Sequence, residues 1–356
     1  MTSSPNQDDA ILSQQVEHLS INNYTDMATT CANCGKEGTN LNICNKCKAA
    51  TYCNASCKKK HRSKHKQECE KRVAELAVEL HKEKLEQERQ AAELRDRELF
   101  KEPPPIKDCD ICMLPLPQLE SGKRYKPCCG KTICAGCIYA VALRDKNETK
   151  CPFCRTPTAV SNKEIIKRVK KRVEIGDAEA IDNMGSYYCH GVHGLQKNLN
   201  KALELWRRAA ELGYTESYHN IGVAYDFGKG VKRNEKMANH YYELAAMGGN
   251  ASSRYNIGSS EYIVGNFERA LKHFMLSAGG GYNVSLRAIQ QMYKEGEATK
   301  DDYIQAIRGY QAYLGEIKSV QRDEAAAAIE GSKYYELLSP GALPPNHVNG
   351  KDLPNF

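Results

Sequence analysis

The apolar positions of the C-terminal half recur as pairs of amphipathic segments. Equivalent apolar residues stand 37, 36 and 32 residues apart, and a glycine follows three of the four: Met184-Gly185, Ile221-Gly222, Ile257-Gly258 and Ile289-Gln290. The second segment of each pair carries one large aromatic residue: Trp206, Tyr242, Phe274 and Tyr310. A period of this length is typical of helix pairs that stack into a solenoid. The pattern predicts an all-α repeat region over residues 175–338, with a capping helix from Asp323 to Leu338.

Glycine and alanine mark the ends of the predicted repeat helices. Each unit opens at a glycine, namely Gly176, Gly213, Gly249 and Gly281. Small residues let adjacent helices approach, and glycine ends a helix by adopting positive φ. Over about 175–315 this arrangement resembles the Sel-one-like repeats, relatives of the tetratricopeptide family. The resemblance implies a short right-handed solenoid that binds protein partners along its concave face.

The segment from Glu70 to Lys101 is dense in Glu, Lys, Arg, Ala and Leu, which are strong helix formers. Its apolar stripe is short and consists of Val73, Leu76, Ala77 and Leu80. Because the heptads are not sustained, the pattern predicts a solvated helical linker over 70–107 rather than a coiled coil. The prolines at 103–105 end this helix, since proline cannot continue it.

Three shorter segments complete the organisation of the chain. A basic stretch from Lys163 to Val173 predicts a second linker helix within 157–174. Residues 1–30 are polar and contain no Lys or Arg, and residues 339–356 are rich in proline. Such compositions do not bury a core, so both ends are predicted to be disordered.

Fifteen of the sixteen cysteines fall into two compact arrays, and only Cys189 lies outside them. The first array is Cys31, Cys34, Cys44, Cys47, Cys53, Cys57, His65 and Cys69. The second is Cys109, Cys112, Cys128, Cys129, Cys134, Cys137, Cys151 and Cys154. Structural zinc takes four Cys or His ligands and keeps no open position, so each array predicts two ions and the chain about four Zn²⁺. Cys189 is interpreted as a small buried hydrophobic residue.

Composition restricts the compartment and the partners. The chain has no apolar run long enough for a membrane span and no visible secretory signal, so we expect a cytoplasmic or nuclear protein. Thiols stay reduced there, which favours metal ligands over disulfides. The formal charge of +7 treats cysteines as neutral. Because zinc-bound cysteines are thiolates, the loaded protein is expected near zero charge, and nucleic acid is not expected as a main partner.

The first array resembles the MYND zinc finger over residues 31–69. The likeness rests on two C-x2-C pairs followed by Tyr52-Cys53-x3-Cys57 and His65-x3-Cys69. It implies interleaved sites, one made by Cys31, Cys34, Cys53 and Cys57 and the other by Cys44, Cys47, His65 and Cys69. It also implies a domain that binds short proline-containing peptides. The family usually has an aromatic residue where His61 stands, and His61 is an alternative ligand to His65, although His65 completes the family spacing.

The basic run Lys58–Lys66 has three interpretations. It can be a nuclear address or a phosphate-binding stripe. It can also be the solvated face of the finger's last helix beside the negative zinc–thiolate centres, which is the interpretation we favour.

The second array resembles a RING finger over residues 108–156. Lys131 stands where the usual RING has a histidine, and a protonated lysine has no lone pair for zinc. Cys128 offers the missing thiolate, as in some all-cysteine RING variants. The resemblance then implies one site from Cys109, Cys112, Cys134 and Cys137. The other site comes from Cys128, Cys129, Cys151 and Cys154, with two adjacent cysteines on one ion.

RING fingers bind a ubiquitin-conjugating enzyme and orient its ubiquitin thioester. Carried over by the resemblance, Ile111, Val141 and Pro152 match the apolar contact positions, and Arg155 matches the cation that bridges enzyme and ubiquitin. Alternatively, Ile111 and Val141 belong to the finger core and Arg155 is a solvated charge.

Together these patterns predict a multidomain protein in which two small zinc-stabilised fingers precede an all-α helical-repeat solenoid. The function we infer is an adaptor-type ubiquitin ligase of the RING type, whose MYND finger and repeats recruit protein partners. A non-catalytic scaffold for protein–protein interaction is the alternative, and a nucleic-acid-associated regulator is a third hypothesis. The sequence shows no Ser/His/Asp constellation, phosphate loop or open metal site.

Overall fold

A computed structural model describes residues 30–38, 41–145 and 150–328. The chain divides into two compact units, Met1–Arg95 and Asp96–Phe356. The ends predicted to be disordered lie outside the described residues, apart from Thr30. Within the described ranges, no helix is long and apolar enough to cross a membrane.

The first unit contains a two-stranded antiparallel sheet and most of a long helix. Strand β1, Asn42–Ile43, pairs with β2, Thr51–Tyr52. Helix α1, Ala55–Leu99, begins inside the first finger, well before the predicted linker at residue 70. The side chain of Asn54 accepts the backbone N–H of Cys57 at 2.9 Å and so caps this helix. No glycine or proline interrupts the sequence from 55 to 99, and the helix therefore continues without a break.

The second finger (residues 108–156) opens the second unit. Strand β3, Lys123–Lys126, and strand β4, Lys131–Cys134, form an antiparallel hairpin in which Lys126 pairs with Lys131. Helix α2, Ala135–Arg144, follows directly, and its N-cap Cys134 accepts the N–H of Cys137 through sulfur. The hairpin and helix together supply four of the predicted zinc ligands.

From Asn162 to Ala328 the second unit consists of helices joined by turns and short loops. Helix α3, Asn162–Glu174, starts after Ser161, whose side chain accepts the N–H of Glu164. Four antiparallel helix pairs follow: α4 (Ala178–His190) with α5 (Leu199–Glu211), α6 (Thr215–Phe227) with α7 (Glu235–Met247), α8 (Ala251–Ile263) with α9 (Phe267–Gly279), and α10 (Val284–Glu295) with α11 (Lys300–Ile317). Helix α12 is Val320–Ala328.

Each of the first three helix pairs packs an aromatic ring over a glycine. A Cβ atom on Gly222 would lie 2.6 Å from the ring of Tyr242, so only glycine leaves room for the ring. The same contact joins Gly185 with Trp206 and Gly258 with Phe274. All four predicted aromatic anchors are buried. The register seen in the sequence is therefore a packing rule between the two helices of a repeat.

The end of α1 is not a solvated linker, which corrects that expectation for residues 96–106. Leu99 is buried, and its carbonyl accepts a hydrogen bond of 2.9 Å from Arg254 on α8. The ring of Phe100 lies 4.6 Å from the ring of His273 on α9. Burial among these groups lowers the pKa of His273 to about 3, so this histidine is neutral at physiological pH. The repeats therefore anchor the chain just before the three prolines.

Helix α12 differs from the predicted capping helix. It begins at Val320 rather than Asp323, and residues 329–338 of the prediction lie outside the described residues. It packs mainly on α2 of the second finger rather than on the last repeat. Gly136 of α2 permits this, because a Cβ there would lie 2.8 Å from the backbone nitrogen of Arg322.

Candidate metal centres and the finger surface

The sixteen predicted ligands converge in four groups of four. Within each group the ligand atoms lie within 4.8 Å of one another. The groups are Cys31, Cys34, Cys53 and Cys57; Cys44, Cys47, His65 and Cys69; Cys109, Cys112, Cys134 and Cys137; and Cys128, Cys129, Cys151 and Cys154. Each finger therefore interleaves two groups, so that each metal ion would join two separate stretches of chain.

The spacing of the sulfur atoms fits zinc. A tetrahedral ion with Zn–S bonds near 2.3 Å places its sulfurs about 3.8 Å apart. The observed Sγ–Sγ distances are 3.7 Å for Cys34–Cys53, 3.8 Å for Cys44–Cys69 and 3.8 Å for Cys112–Cys134. The donor set of thiols and one imidazole is also the set that structural zinc prefers.

A repeated turn brings four of the five C-x2-C pairs together. In four such pairs the amide of the residue after the second cysteine donates to the carbonyl of the first, at 2.8–3.0 Å. That residue adopts positive φ in every case: Gly35, Lys48, Met113 and Arg155. The turn points both cysteine side chains to one side. The close spacing of these pairs in the sequence thus encodes the geometry of the ligands locally.

In the first finger, His65 and not His61 joins a ligand group. The Nε2 atom of His65 lies 3.3 Å from the Sγ of Cys47. His61 is half-buried, and its Nδ1 lies 3.3 Å from the hydroxyl of Tyr52. The rings of His61 and His65 stack with centroids 5.9 Å apart. His61 thus occupies the family's aromatic position as a stacked ring.

Backbone and side-chain contacts separate the thiol pKa values within the first finger. The hydrogen bond to the backbone of Cys53 is the largest influence on Cys31 and lowers the pKa of its thiol to about 6. The side-chain hydrogen bond with Cys57 raises the pKa of Cys53 to about 12. Amide donors aimed at a sulfur favour its thiolate, which is the form that binds zinc.

In the second finger, Cys128 and Cys129 share one group despite being adjacent. The Sγ of Cys154 lies 3.4 Å from that of Cys128, and Cys129 lies 3.8 Å from Cys151. Lys131 is outside the group. Its ammonium instead donates to Asp110 at 2.9 Å and lies 5.4 Å from the centre of the Phe153 ring.

The four residues that match conjugating-enzyme contacts differ in exposure. Ile111 is 38% exposed, and Val141 and Pro152 are half-buried. Arg155 is exposed, but its guanidinium pairs with Asp145 at 2.5 Å. Asp145 is the C-cap of α2, the helix that carries Val141. Arg155 is therefore an exposed charge that also forms an ion pair, and its role as a contact residue stays a prediction.

Sequence reasoning missed three residues that shape this finger: Asp110, Phe153 and Arg322. Phe153 is 48% exposed. It directly follows the predicted contact residue Pro152, and this adjacency was a usable signal in the sequence. Asp110 stands beside Ile111 and offered the same signal, whereas Arg322 offered none. Their roles depend on partners that lie 21 and more than 200 residues away.

Comparison with known proteins identifies two of the modules. The MYND finger model matches residues 31–69, and the Sel1 repeat model matches residues 178–214 and 215–250. The chain therefore contains a MYND finger, which is a zinc-binding domain, followed by Sel1 repeats. Both predictions of these families from residue spacing are confirmed. The matched repeats correspond to the helix pairs α4–α5 and α6–α7.

Two curated relatives match parts of the chain. A putative sel1-like repeat-containing protein L21 of Acanthamoeba polyphaga mimivirus is 26% identical over 47% of this chain. The ERAD-associated E3 ubiquitin-protein ligase component HRD3B of Arabidopsis thaliana is 35% identical over 24% of it. The matches span only 30% and 13% of the two relatives. Among solved structures, the Sel1 repeat protein from Oxalobacter formigenes is 26% identical, covers 50% of this chain and 71% of its own, and has a TM-score of 0.40.

Proposed function

We propose that this chain is an adaptor-type ubiquitin ligase whose second finger engages a ubiquitin-conjugating enzyme. MYND fingers and Sel1 repeats are protein-interaction modules, so protein partners are the expected ligands of the rest of the chain. The relative from Arabidopsis is named as a component of a ubiquitin-protein ligase, which agrees with this context.

The observation that supports the proposal most strongly is the position of Lys131. Its ammonium contacts Asp110 in the first zinc loop and lies over Phe153 in the second. These residues are the immediate neighbours of Ile111 and Pro152. A side chain that departs from the RING pattern thus links the two loops on which apolar contacts with a conjugating enzyme depend.

A second ion pair connects helix α2, the third part of the proposed contact surface, to the second zinc loop. Arg155 follows the last ligand of the second loop and pairs with Asp145 at the end of α2. Two loops and one helix are therefore joined by side-chain contacts, and bound metal would join them further. Zinc, when bound, would have a structural role and fold these loops. A closed four-ligand site leaves no coordination position for a substrate on the metal.

The chemistry proposed for the finger is orientation. Ile111 and Pro152 would seat an apolar loop of the conjugating enzyme, and Arg155 would contact both that enzyme and its ubiquitin. Holding the thioester in a reactive pose raises the rate of attack by an acceptor amine without a nucleophile from this chain. No residue of the finger is assigned an acid–base role.

Discharge of ubiquitin from charged conjugating enzymes tests the proposal. We expect the zinc-loaded chain to accelerate discharge from at least one enzyme of a panel. Ile111→Ala should abolish the acceleration, and Lys131→Ala should reduce it, with zinc content unchanged in both. Val160→Ala is the matched control, because Val160 is 96% exposed and lies outside the finger. The proposal fails if the wild-type chain accelerates no discharge.

A non-catalytic scaffold is the second candidate, and the ion pair of Arg155 favours it. The guanidinium of Arg155 is paired with Asp145. To bridge two other proteins it would have to leave Asp145, or contact those proteins while still paired. Under this hypothesis the finger binds partners but Arg155→Ala leaves every discharge rate unchanged. Under the ligase proposal the same variant binds the conjugating enzyme normally and discharges ubiquitin slowly.

A further inference from the structure

The side chain of Arg322 enters the second finger from the far end of the chain. Arg322 lies on α12 and is 1% exposed. Its Nη1 donates to the carbonyl oxygens of Pro115 at 2.9 Å and Ile317 at 2.5 Å. Its Nη2 donates to the carbonyl of Leu114 at 3.4 Å and to the Sγ of Cys112 at 3.6 Å. A residue 210 positions away in sequence thus contacts a predicted zinc ligand.

The charge of this guanidinium requires a counter-charge, because burial of an unpaired cation is costly. Within the described part of the chain, the groups that face it are carbonyl oxygens and the sulfurs of Cys112 and Cys134, and none of them is a carboxylate. Four thiolates around one Zn²⁺ keep a net negative charge. The metal centre next to Arg322 is therefore the group that can balance it, through a charge-assisted N–H···S bond.

Backbone packing places α12 against the same centre. Gly136 stands between the ligands Cys134 and Cys137, and a Cβ on it would lie 2.8 Å from both the Cγ and the backbone nitrogen of Arg322. Ala325, one turn further along α12, is fully buried. The approach of α12 is thus close and specific, and it does not depend on the guanidinium alone.

We propose that Arg322 is a positioning residue for the zinc site of Cys109, Cys112, Cys134 and Cys137, and that helix α12 completes the second finger. Arg322 fixes the loop at 112–115 through three contacts and orients the sulfur of Cys112 toward the ion. Outer partners of this kind orient metal ligands, and their loss typically lowers metal affinity about 10- to 100-fold. The finger cannot reach its full metal affinity without the C-terminal helix.

Competition with a chromogenic chelator on the zinc-loaded full-length chain tests this inference. In Arg322→Met, which keeps the length of the side chain but removes the donors, one ion should be lost about 10- to 100-fold more readily than in the wild type. Arg308→Met is the matched control, because Arg308 is an exposed arginine on α11. It should release zinc as the wild type does.

A second measurement separates positioning from general support of the fold. With Co²⁺ in place of zinc, loss of the N–H···S bond should move part of the sulfur-to-cobalt charge-transfer band of Arg322→Met to lower energy. Arg322→Lys keeps the charge without the planar fork and should recover part of the metal affinity. An unchanged spectrum and affinity in Arg322→Met would overturn the inference. Release of all ions together in Arg322→Met and Arg322→Lys would overturn it as well. These readouts do not involve ubiquitin, so they can fail while the proposed ligase activity stands.

Discussion

The hydroxyl of Tyr125 donates a hydrogen bond of 2.7 Å to the carboxylate of Asp177 and thereby joins the hairpin of the second finger to the start of the first repeat. Asp177 also pairs with Arg172 at 2.6 Å and caps α4 through the N–H of Ala180. Burial acts to raise the pKa of Asp177, but the hydrogen bonds from Tyr125 and Arg172 outweigh it and the net shift is downward.

Removing this hydroxyl should destabilise the second unit. For Tyr125→Phe we expect the free energy of unfolding at pH 7 to fall by about 1.5–3 kcal/mol, the value of a hydrogen bond to a charged group. Because the lowered pKa stabilises the fold above the ordinary pKa of aspartate, near 3.9, the deficit should be constant from pH 8 to pH 5. Denaturant unfolding measures it, with Tyr139→Phe as the control. A deficit that shrinks within this pH range would contradict the assignment.

Metal content distinguishes Cys128 from Lys131. Elemental analysis of the purified chain should find about four zinc ions. Cys128→Ala should lower this count by about one, because the remaining three thiolates leave the site open. Lys131→Ala should leave it unchanged, since the ammonium contacts Asp110 and Phe153 and no metal ligand group includes it. The reverse result would show that the ligand set of the second finger is wrong.

A single methyl group should disrupt the repeat contact at Gly222. Gly222→Ala places a Cβ 2.6 Å from Tyr242, and we expect a loss of about 1–3 kcal/mol from overpacking. Gly315→Ala is the control, because nothing lies within 4 Å of its Cβ position on α11. That control should be neutral or stabilise the helix by up to about 1 kcal/mol. Equal effects of the two substitutions in thermal unfolding would refute the packing argument.

Truncation of Leu99 tests the anchoring of the linker. Leu99→Ala should cost about 2–5 kcal/mol, because a buried leucine leaves a cavity when shortened. Leu80, on the same helix, is 64% exposed, and Leu80→Ala should change the free energy of unfolding by less than about 0.5 kcal/mol. Chemical denaturation of the full-length chain measures both. Similar small effects would mean that residues 96–106 are not docked on the repeats.

The features that could be predicted from the sequence are those formed by residues that lie close together in the chain or recur at a fixed spacing. The ligand pairs could be found because a C-x2-C turn is encoded within five residues, as at Cys31–Gly35. The repeats could be found because each glycine and its aromatic partner recur at a fixed spacing, as at Gly222 and Tyr242. These predictions of a MYND finger, Sel1 repeats and a helical solenoid are confirmed. The RING likeness and its contact residues stay predictions.

The remaining features depend on pairings with no local pattern. Arg254 contacts Leu99 across 155 residues, and Arg322 contacts Cys112 across 210. Each arginine looks like an ordinary surface cation on its own helix. Only the packing of the elements shows that both are buried, so a reading of periodicity and spacing could not assign them.

The second finger also touches the far end of the repeat stack, where the hydroxyl of Tyr313 accepts the backbone N–H of Gln118 at 2.8 Å. In an open solenoid each repeat contacts only its neighbours, so a repeat can be gained or lost without disrupting the others. Here the second finger contacts the first helix pair at Asp177 and the fourth helix pair at Tyr313, so both ends of this stack are fixed to the same domain. One extra helix pair would shift Tyr313 by about 10 Å or more, given the usual spacing of packed helices. The hydrogen bond between Gln118 and Tyr313 would then be lost. These two contacts thereby fix the number of repeats between Asp177 and Tyr313.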